Sequence, residues 1–329
     1  MKAVVCNELG EPSVLRVEER PSKAPRDGEV RVKLKAAALN FPDILMIAGG
    51  YQVKPDLPFI PGIEAAGEIV EVGAGTGKWT VGTPVIVTGA GDPLGLFAEE
   101  VTVPVSTLTA IPKGMTYEEA SGYLATYATS YHGLVDRGRL KAGETLVVHG
   151  ATGGVGTAAV QIGKHLGATV IATGGDDGKL AKVKAMGADY VINYKTQDVR
   201  ETVKVLTNGK GANVFYDPVG GEVFEASMRC IALEGRILII GATSGTYAPV
   251  KTNHILIKEV EIIGVLHGHW RDRHPEMFEQ NMRILGEWAE AGHIKPYVGR
   301  TYPLEKAADA LAALGNREIV GKCVLTIDN

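Results

Sequence analysis

The chemistry most plainly written in this chain lies in seven residues, Gly150-Ala151-Thr152-Gly153-Gly154-Val155-Gly156. Glycines at such a place allow a tight turn, let backbone N–H groups approach a pyrophosphate, and let a helix pack closely on a strand with its N-terminus facing the phosphates. Ala151 stands where the first glycine of G-x-G-x-x-G is expected, so the bare pattern is imperfect and its context decides the reading. Upstream, Thr145-Leu146-Val147-Val148-His149 is a short β-branched apolar run, the pattern of a strand buried on both faces. Downstream, Val155, Ala158, Ala159, Ile162 and Leu166 recur at helical spacing and Gly167 follows as a stop. Strand, glycine turn and helix together predict a dinucleotide site.

The elements around this junction fall into two regimes. From residue 145 strands and helices alternate: strands at 145–149, 169–173, 190–193, 213–217, 236–241 and 260–265, helices near 154–166, 177–186, 197–207, 221–232 and 253–257. Such alternation predicts a doubly wound parallel sheet of six strands. Residues 1 to about 110 instead read as short strands (2–7, 14–19, 29–37, 66–72, 83–88, 98–104) separated by Gly, Pro and Asp clusters, with one short helix starting near Pro42 and ending at Gly49-Gly50. Thr116 with Glu119 predicts a capping box, followed by helical periodicity through Tyr123, Tyr127 and Leu134. A helix at 276–291 carries Phe278, Met282, Leu285 and Trp288 on one stripe; another follows at 304–314, and 321–327 is a closing strand expected to rejoin the N-terminal module. The predicted domains are 1–122 completed by 266–329, and 123–265.

Composition narrows the partners. The chain has 329 residues, of which 22% are charged and 45% hydrophobic, with a net charge of −4, a balance that favours a small molecule over nucleic acid or a membrane surface. Cys6, Cys230 and Cys323 lie far apart in apolar settings and read as reduced core residues of a cytoplasmic protein. The chain opens as a strand, with no basic and apolar leader, and no run approaches a membrane span, so an unprocessed protein is expected.

Several blocks in order resemble the medium-chain dehydrogenase/reductase superfamily, within it the zinc-free NADPH:quinone oxidoreductases related to zeta-crystallin. They are Asn40-Phe41-Pro42-Asp43 with Gly50-Tyr51, the stretch from Pro61 to Gly67, Thr129-Ser130-Tyr131, the loop from His149 to Gly156, the stretch from Tyr216 to Gly221, Gly235-Arg236 and Gly321-Lys322. The resemblance covers essentially the whole chain, and alanine at the first glycine position is typical of this branch. It implies an α/β protein in which a GroES-like β-rich catalytic domain is joined to a Rossmann domain, with the active site in the cleft between them, and a homodimer formed through the edge strand at 260–265.

The resemblance also frames the metal and the cofactor. Zinc-dependent relatives place Cys where Asn40 stands and His where Ile63 stands, and their structural zinc needs four closely spaced Cys; none of these ligands is present. His267 and His269 lie two apart and His254 is alone, a spacing of ordinary polar histidines. At the end of the second Rossmann strand, Gly174 and Gly175 replace the acid that binds the ribose 2′-OH of NAD, leaving room for a 2′-phosphate. The resemblance implies that Lys179, Tyr194 and Arg317 contact that phosphate, with Asp176 and Asp177 as opposing charges. NADPH is the expected cofactor, held by Ala151, Thr152, Gly153, Gly154, Val155 and Gly156, with its nicotinamide near Val219, Gly241, Ala242, Leu266 and Thr129.

Facing that cleft in relatives are Asn40, Asp43, Met46 and Tyr51, joined here by His267. Enoyl-thioester reductases of the superfamily carry a similar Asn-Pro-x-Asp…Gly-x-Tyr stretch, so Tyr51 is expected to bond a substrate carbonyl or guide protonation; its alternative role is an aromatic pocket wall that suits a quinone equally. Asn40 is expected to orient a carbonyl and Asp43 to be structural. Two departures, 89–99 and His267-Gly268-His269-Trp270, blur the substrate. The expected reaction is zinc-independent hydride transfer from NADPH to a quinone; the rivals are reduction of an α,β-unsaturated carbonyl or enoyl thioester and, less favoured, a non-catalytic NADPH-binding or RNA-associated role.

Overall fold

The computed structural model describes residues 1–88 and 95–327, so the core of the departing segment 89–99 lies outside the described residues. The chain forms two compact units, Met1–Leu124 with Pro296–Asn329, and Ala125–Lys295. Residues 266–295, grouped by the sequence with the first domain, belong to the second unit. The reason is local: in the helix Pro275–Glu290, Leu285 is fully buried, Trp288 meets Tyr131, Phe278 meets His267, and Asn281 donates to Asp136.

The second unit holds the predicted six-stranded sheet. In spatial order its strands are Tyr190–Asn193, Thr169–Gly174, Thr145–Val148, Ala212–Asp217, Ile231–Ile239 and Glu261–Gly264, every neighbouring pair parallel. Numbered along the chain this is the order 3-2-1-4-5-6, whose reversal point lies beside Thr145–Val148, where a doubly wound sheet opens its ligand crevice. Thr145–Val148 has only one residue short of full burial, which explains its unbroken apolar sequence. Helices Gly154–His165, Asp177–Ala185, Val199–Leu206, Glu222–Cys230 and Thr252–Lys258 supply the crossovers. The fifth strand begins five residues before the expected 236 because the chain leaves Glu222–Cys230 directly into extended backbone at Ile231.

The first unit is a seven-stranded sheet ordered Val298–Pro303, Lys322–Thr326, Glu29–Ala38, Glu64–Val72, Pro84–Thr88, Leu108–Ala110, with Glu100–Pro104 also paired to Glu29–Ala38; Lys2–Val5 and Arg16–Glu19 form a separate pair. The closing strand rejoins this module as expected, antiparallel to Glu29–Ala38 with Val324 opposite Ala38. Its other edge pairs with Val298–Pro303, a strand the sequence conceals because its exposed polar residues show no alternation. The apolar interior includes Val32, Leu34, Ile69, Val85, Phe97, Leu311 and Leu325. The expected capping box closes at Thr116 and Glu119, but the periodic stretch beyond it widens into π-turns at Leu124–Ala128 and His132–Arg137, flanking Thr129–Tyr131.

Candidate active site

The dinucleotide loop is built by close backbone packing. A Cβ on Gly156 would lie 2.4 Å from the Gly150 carbonyl oxygen and 2.7 Å from Ala151 Cα, so the first turn of the helix rests directly on the loop. Gly150 has φ +54°, a backbone that favours glycine. Ala151 is fully buried and donates its N–H to Thr173 O (3.0 Å), and Gly153 donates to Gly150 O (3.0 Å). No side chain caps the helix Gly154–His165 at Gly153, so its first-turn N–H groups are available to an anion. Ser130 Oγ bonds Val155 O (3.0 Å) and Tyr216 Oη (2.9 Å), tying the half-buried Thr129 segment to this helix and to the fourth strand. His149 bridges Thr173 Oγ1 (2.9 Å) and Ser227 Oγ (2.7 Å), and burial pushes its pKa down. It braces the strand ends as a neutral ring.

The end of the second strand carries two glycines packed closely by side chains. A Cβ on Gly174 would meet Leu180 Cδ2 at 3.0 Å and Thr152 Cγ2 at 3.3 Å, and one on Gly175 would lie 2.7 Å from the Tyr194 hydroxyl. Tyr194 thus lies against Gly175, and its N–H bonds Gly174 O (3.0 Å). The two carboxylates that follow have structural partners: Asp176 accepts from Lys179 N (2.8 Å) as the helix cap, and Asp177 accepts from Asn193 Nδ2 (2.8 Å). Lys179 is half-buried in the first turn of that helix. Arg317 lies in the first unit, in left-handed backbone (φ +59°) just past the helix Ala307–Gly315.

Farther along the same sheet edge, Asp217 Oδ1 accepts from the N–H groups of Val219 (2.8 Å) and Gly220 (2.9 Å), and Thr243 and Ser244 donate back to Pro218 and Val219. These bonds hold Val219 beside Gly241 and Ala242 at the strand ends. Leu266 is half exposed and leads into the helix His267–Arg273. The His267 ring meets His132, Trp270 and Phe278 at 5.7–5.9 Å between centroids. Desolvation, aided by His132 and Arg271, lowers its pKa to about 3, so it is a neutral ring at physiological pH. His132, which the sequence did not single out, is itself buried, bonded to Asp136 Oδ2 (2.8 Å) and stacked on Trp270 at 4.1 Å.

In the first unit, Asn40 links the end of Glu29–Ala38 to the helix Phe41–Ile47. Its backbone N–H donates to Asp43 Oδ2 (2.7 Å), its Nδ2 donates to Glu64 Oε1 (3.1 Å) and Ala38 O (3.3 Å), and its Oδ1 accepts from Lys322 Nζ (2.7 Å). Lys322 Nζ also donates to Leu39 O (3.0 Å) and Glu64 Oε1 (2.9 Å). Glu64 is completely buried and the Lys322 side chain 5% exposed. The lysine stem passes where a Cβ on Gly122 would stand 2.8 Å from its Cγ. Both Nδ2 hydrogens of Asn40 are therefore engaged inside the fold, and the amide has no donor left for a substrate carbonyl. Lys322 and Glu64 are the residues of this cluster whose role sequence reasoning missed, although both stood within quoted blocks.

Asp43 is fully buried, and desolvation raises its pKa to about 7 against the lowering effects of the Asn40 N–H and Lys322. Met46 is 2% exposed on the same helix. Tyr51 follows that helix, half-buried, and its hydroxyl has no hydrogen-bond partner among the described residues. Burial first and the Asp43 charge second push its pKa up, so the phenol keeps its proton and remains a donor. Asn40 and Asp43 are brought together directly, and Tyr51 lies within the electrostatic reach of Asp43. Among the described residues no group of three His, Cys, Asp or Glu is placed to hold a metal.

Comparison with known proteins matches residues 26–113 to the alcohol dehydrogenase GroES-like domain family and residues 154–286 to the zinc-binding dehydrogenase family. The chain is 35% identical over 327 residues to a quinone oxidoreductase-like protein 2 homolog of Nematostella vectensis, covering 98% of this chain and 88% of that protein. It is 30% identical over 333 residues to a 2-haloacrylate reductase of a Burkholderia species, covering 98% of both. The crystal structure of Escherichia coli quinone oxidoreductase complexed with NADPH superposes with a TM-score of 0.91 at 29% identity, covering 99% of this chain and 100% of that one. With both family domains matched in order and full-length relatives of this identity, the chain belongs to the medium-chain dehydrogenase/reductase superfamily, in its quinone oxidoreductase family.

Proposed function

We propose that this protein is a zinc-independent, NADPH-dependent reductase that passes hydride to a quinone. The observation that carries the cofactor assignment is the second strand's end, where Gly174 and Gly175, packed against Leu180, Thr152 and Tyr194, stand in place of the acid that selects NAD. NADPH supplies the hydride when bound. The uncapped start of Gly154–His165 suits its pyrophosphate, with Lys179, Tyr194 and Arg317 as the proposed partners of the 2′-phosphate. Zinc does not fit the residues present: Asn40 and Ile63 take the positions where zinc-dependent relatives place Cys and His, and Asn40 is committed to Glu64 and Lys322. No step is derived through a metal.

In this reading the chain's own work is positioning. Tyr51 serves chiefly as an aromatic wall for the quinone, its protonated hydroxyl adding only a minor contact to the oxygen that gains charge as hydride arrives. Asn40, Asp43 and Lys322 hold the base of the helix leading to it, with Met46 on the same helix; Met46 and the neutral His267 are each proposed as substrate contacts. A second reading, reduction of an alkene conjugated to a carbonyl, is favoured by that same free hydroxyl and by the likeness to a 2-haloacrylate reductase. The edge strand Glu261–Gly264 is the proposed homodimer contact, and three buried free cysteines suit a reducing compartment such as the cytoplasm. No helix among the described residues is long and apolar enough to cross a membrane.

The test is NADPH oxidation against ortho- and para-quinones, enals and enoyl thioesters, with NADH alongside. Quinone turnover with NADPH preferred in kcat/KM is expected, and Tyr51→Phe should reduce it only mildly. Collapse of enal turnover in Tyr51→Phe, with quinones poor substrates, would establish the second reading; an NADH preference would refute the cofactor assignment.

A further inference from the structure

At the opposite end of the parallel sheet from the dinucleotide loop lies a cavity of about 330 Å³ that the reaction does not use. Its lining includes Lys204, Lys210, Arg229, Cys230, Ile231 and Lys258, and no carboxylate. It opens where Ala212–Asp217 and Ile231–Ile239 begin, whereas Gly150–Gly156 follows the last residue of its strand. Lys210 and Arg229 are exposed and make no ion pair among the described residues, and Lys258 Nζ donates only to Ile231 O (2.8 Å). Lys204 shares Glu201 (3.3 Å) with Arg200 (3.2 Å).

Part of this charge has a structural reason. Lys204, Arg229 and Lys258 stand in the last turns of three helices, whose C-terminal carbonyls together present about one and a half negative charges. These partial charges still leave the four cations of the lining, Lys204, Lys210, Arg229 and Lys258, in excess of the lining's own negative charge. The excess is felt locally: desolvation, with Lys204 and Arg200, holds the Lys258 ammonium below its ordinary pKa. Burial pushes the Cys230 thiol up to about 12 despite those cations, so the thiol stays protonated and the cationic side chains set the character of the cavity.

We propose that this cavity is a binding site for a small phosphate-bearing polyanion, held by Lys210, Arg229 and Lys258. Arginine forks two phosphate oxygens while the lysines act as point charges, an arrangement that takes a diphosphate more readily than a single carboxylate. The site is separate from the proposed reductase chemistry and stands or falls without it.

Calorimetric titration of the full chain with inorganic pyrophosphate, at ionic strength held constant with sodium chloride, tests it. In Gly156→Val, whose dinucleotide loop is blocked, one saturable site is expected, weakened at least tenfold when Arg229→Gln/Lys258→Met is added. If Gly156→Val fails to fold, amine labelling of the natural protein answers instead: pyrophosphate should protect Lys210 and Lys258 while Lys179 stays reactive. Adenosine diphosphate in place of pyrophosphate separates the sources: equal affinity assigns recognition to the phosphates alone, tighter binding to a nucleotide, and both support the site. Unsaturable binding, binding unchanged by the double substitution, or protection confined to Lys179 would overturn it.

Discussion

Replacing Lys322 by Met is the sharpest perturbation of the first unit. The ammonium serves three acceptors, Leu39 O, Asn40 Oδ1 and Glu64 Oε1, at 3.0, 2.7 and 2.9 Å, from a side chain 5% exposed against a carboxylate fully out of water. Methionine fills similar space without donors, so the hydrophobic contribution of the stem is kept while Glu64 loses its countercharge. Removing one partner of a buried pair costs about 3–5 kcal/mol, because the remaining charge is stranded. Lys322→Met should lose that much in urea unfolding at pH 7. The double substitution Lys322→Met/Glu64→Gln removes both charges and should recover more than about 1 kcal/mol relative to the sum of the single changes. Lys322→Met within about 0.5 kcal/mol of the natural protein, or additive single effects, would refute the reasoning.

Further consequences are equally direct. Asp43 has a folded pKa of about 7 against an unfolded value of 3.8, so the folded state binds the extra proton and this group's stability is lost as pH rises from about 4 to 7. That difference amounts to about 4 kcal/mol at most, and Asp43→Asn, which keeps an acceptor for the Asn40 N–H, should flatten the decline when unfolding is measured at pH 5 and pH 8. Gly156→Val places side-chain atoms inside contact distance of Gly150 and Ala151, and should abolish saturable NADPH binding by fluorescence titration while leaving the first unit's melting unchanged. Unaltered NADPH affinity would show that the loop does not carry the cofactor.

Much of this molecule is local, and what is local could be read. The strand at Thr145–Val148, the glycines after it and the helix that follows are determined by neighbours in sequence: β-branched residues favour a strand buried on both faces, and Gly156 alone lets the helix rest on the turn. The alternating elements of the six-stranded parallel sheet were legible for the same reason. Boundaries were less so. Residues 266–295 change units because Leu285, Asn281 and Trp288 find their partners there, and helical periodicity cannot say which neighbour a stripe meets.

Only the tertiary structure decided how Asn40 is used. From its sequence it is an uncharged amide able to orient a carbonyl, yet its donors are consumed by Ala38 and Glu64 and its acceptor by a lysine 282 positions away. Hydrogen-bond saturation depends on groups that the closing strand brings alongside Glu29–Ala38, and no spacing rule reaches across such a separation. The same pairing turns Lys322 and Glu64 into one buried ion pair. Sequence determined which chemistry this protein can attempt; the fold decided which of the candidate side chains kept an unused hydrogen-bonding group, and in the first unit those are Tyr51 and the buried Asp43 Oδ1 rather than Asn40.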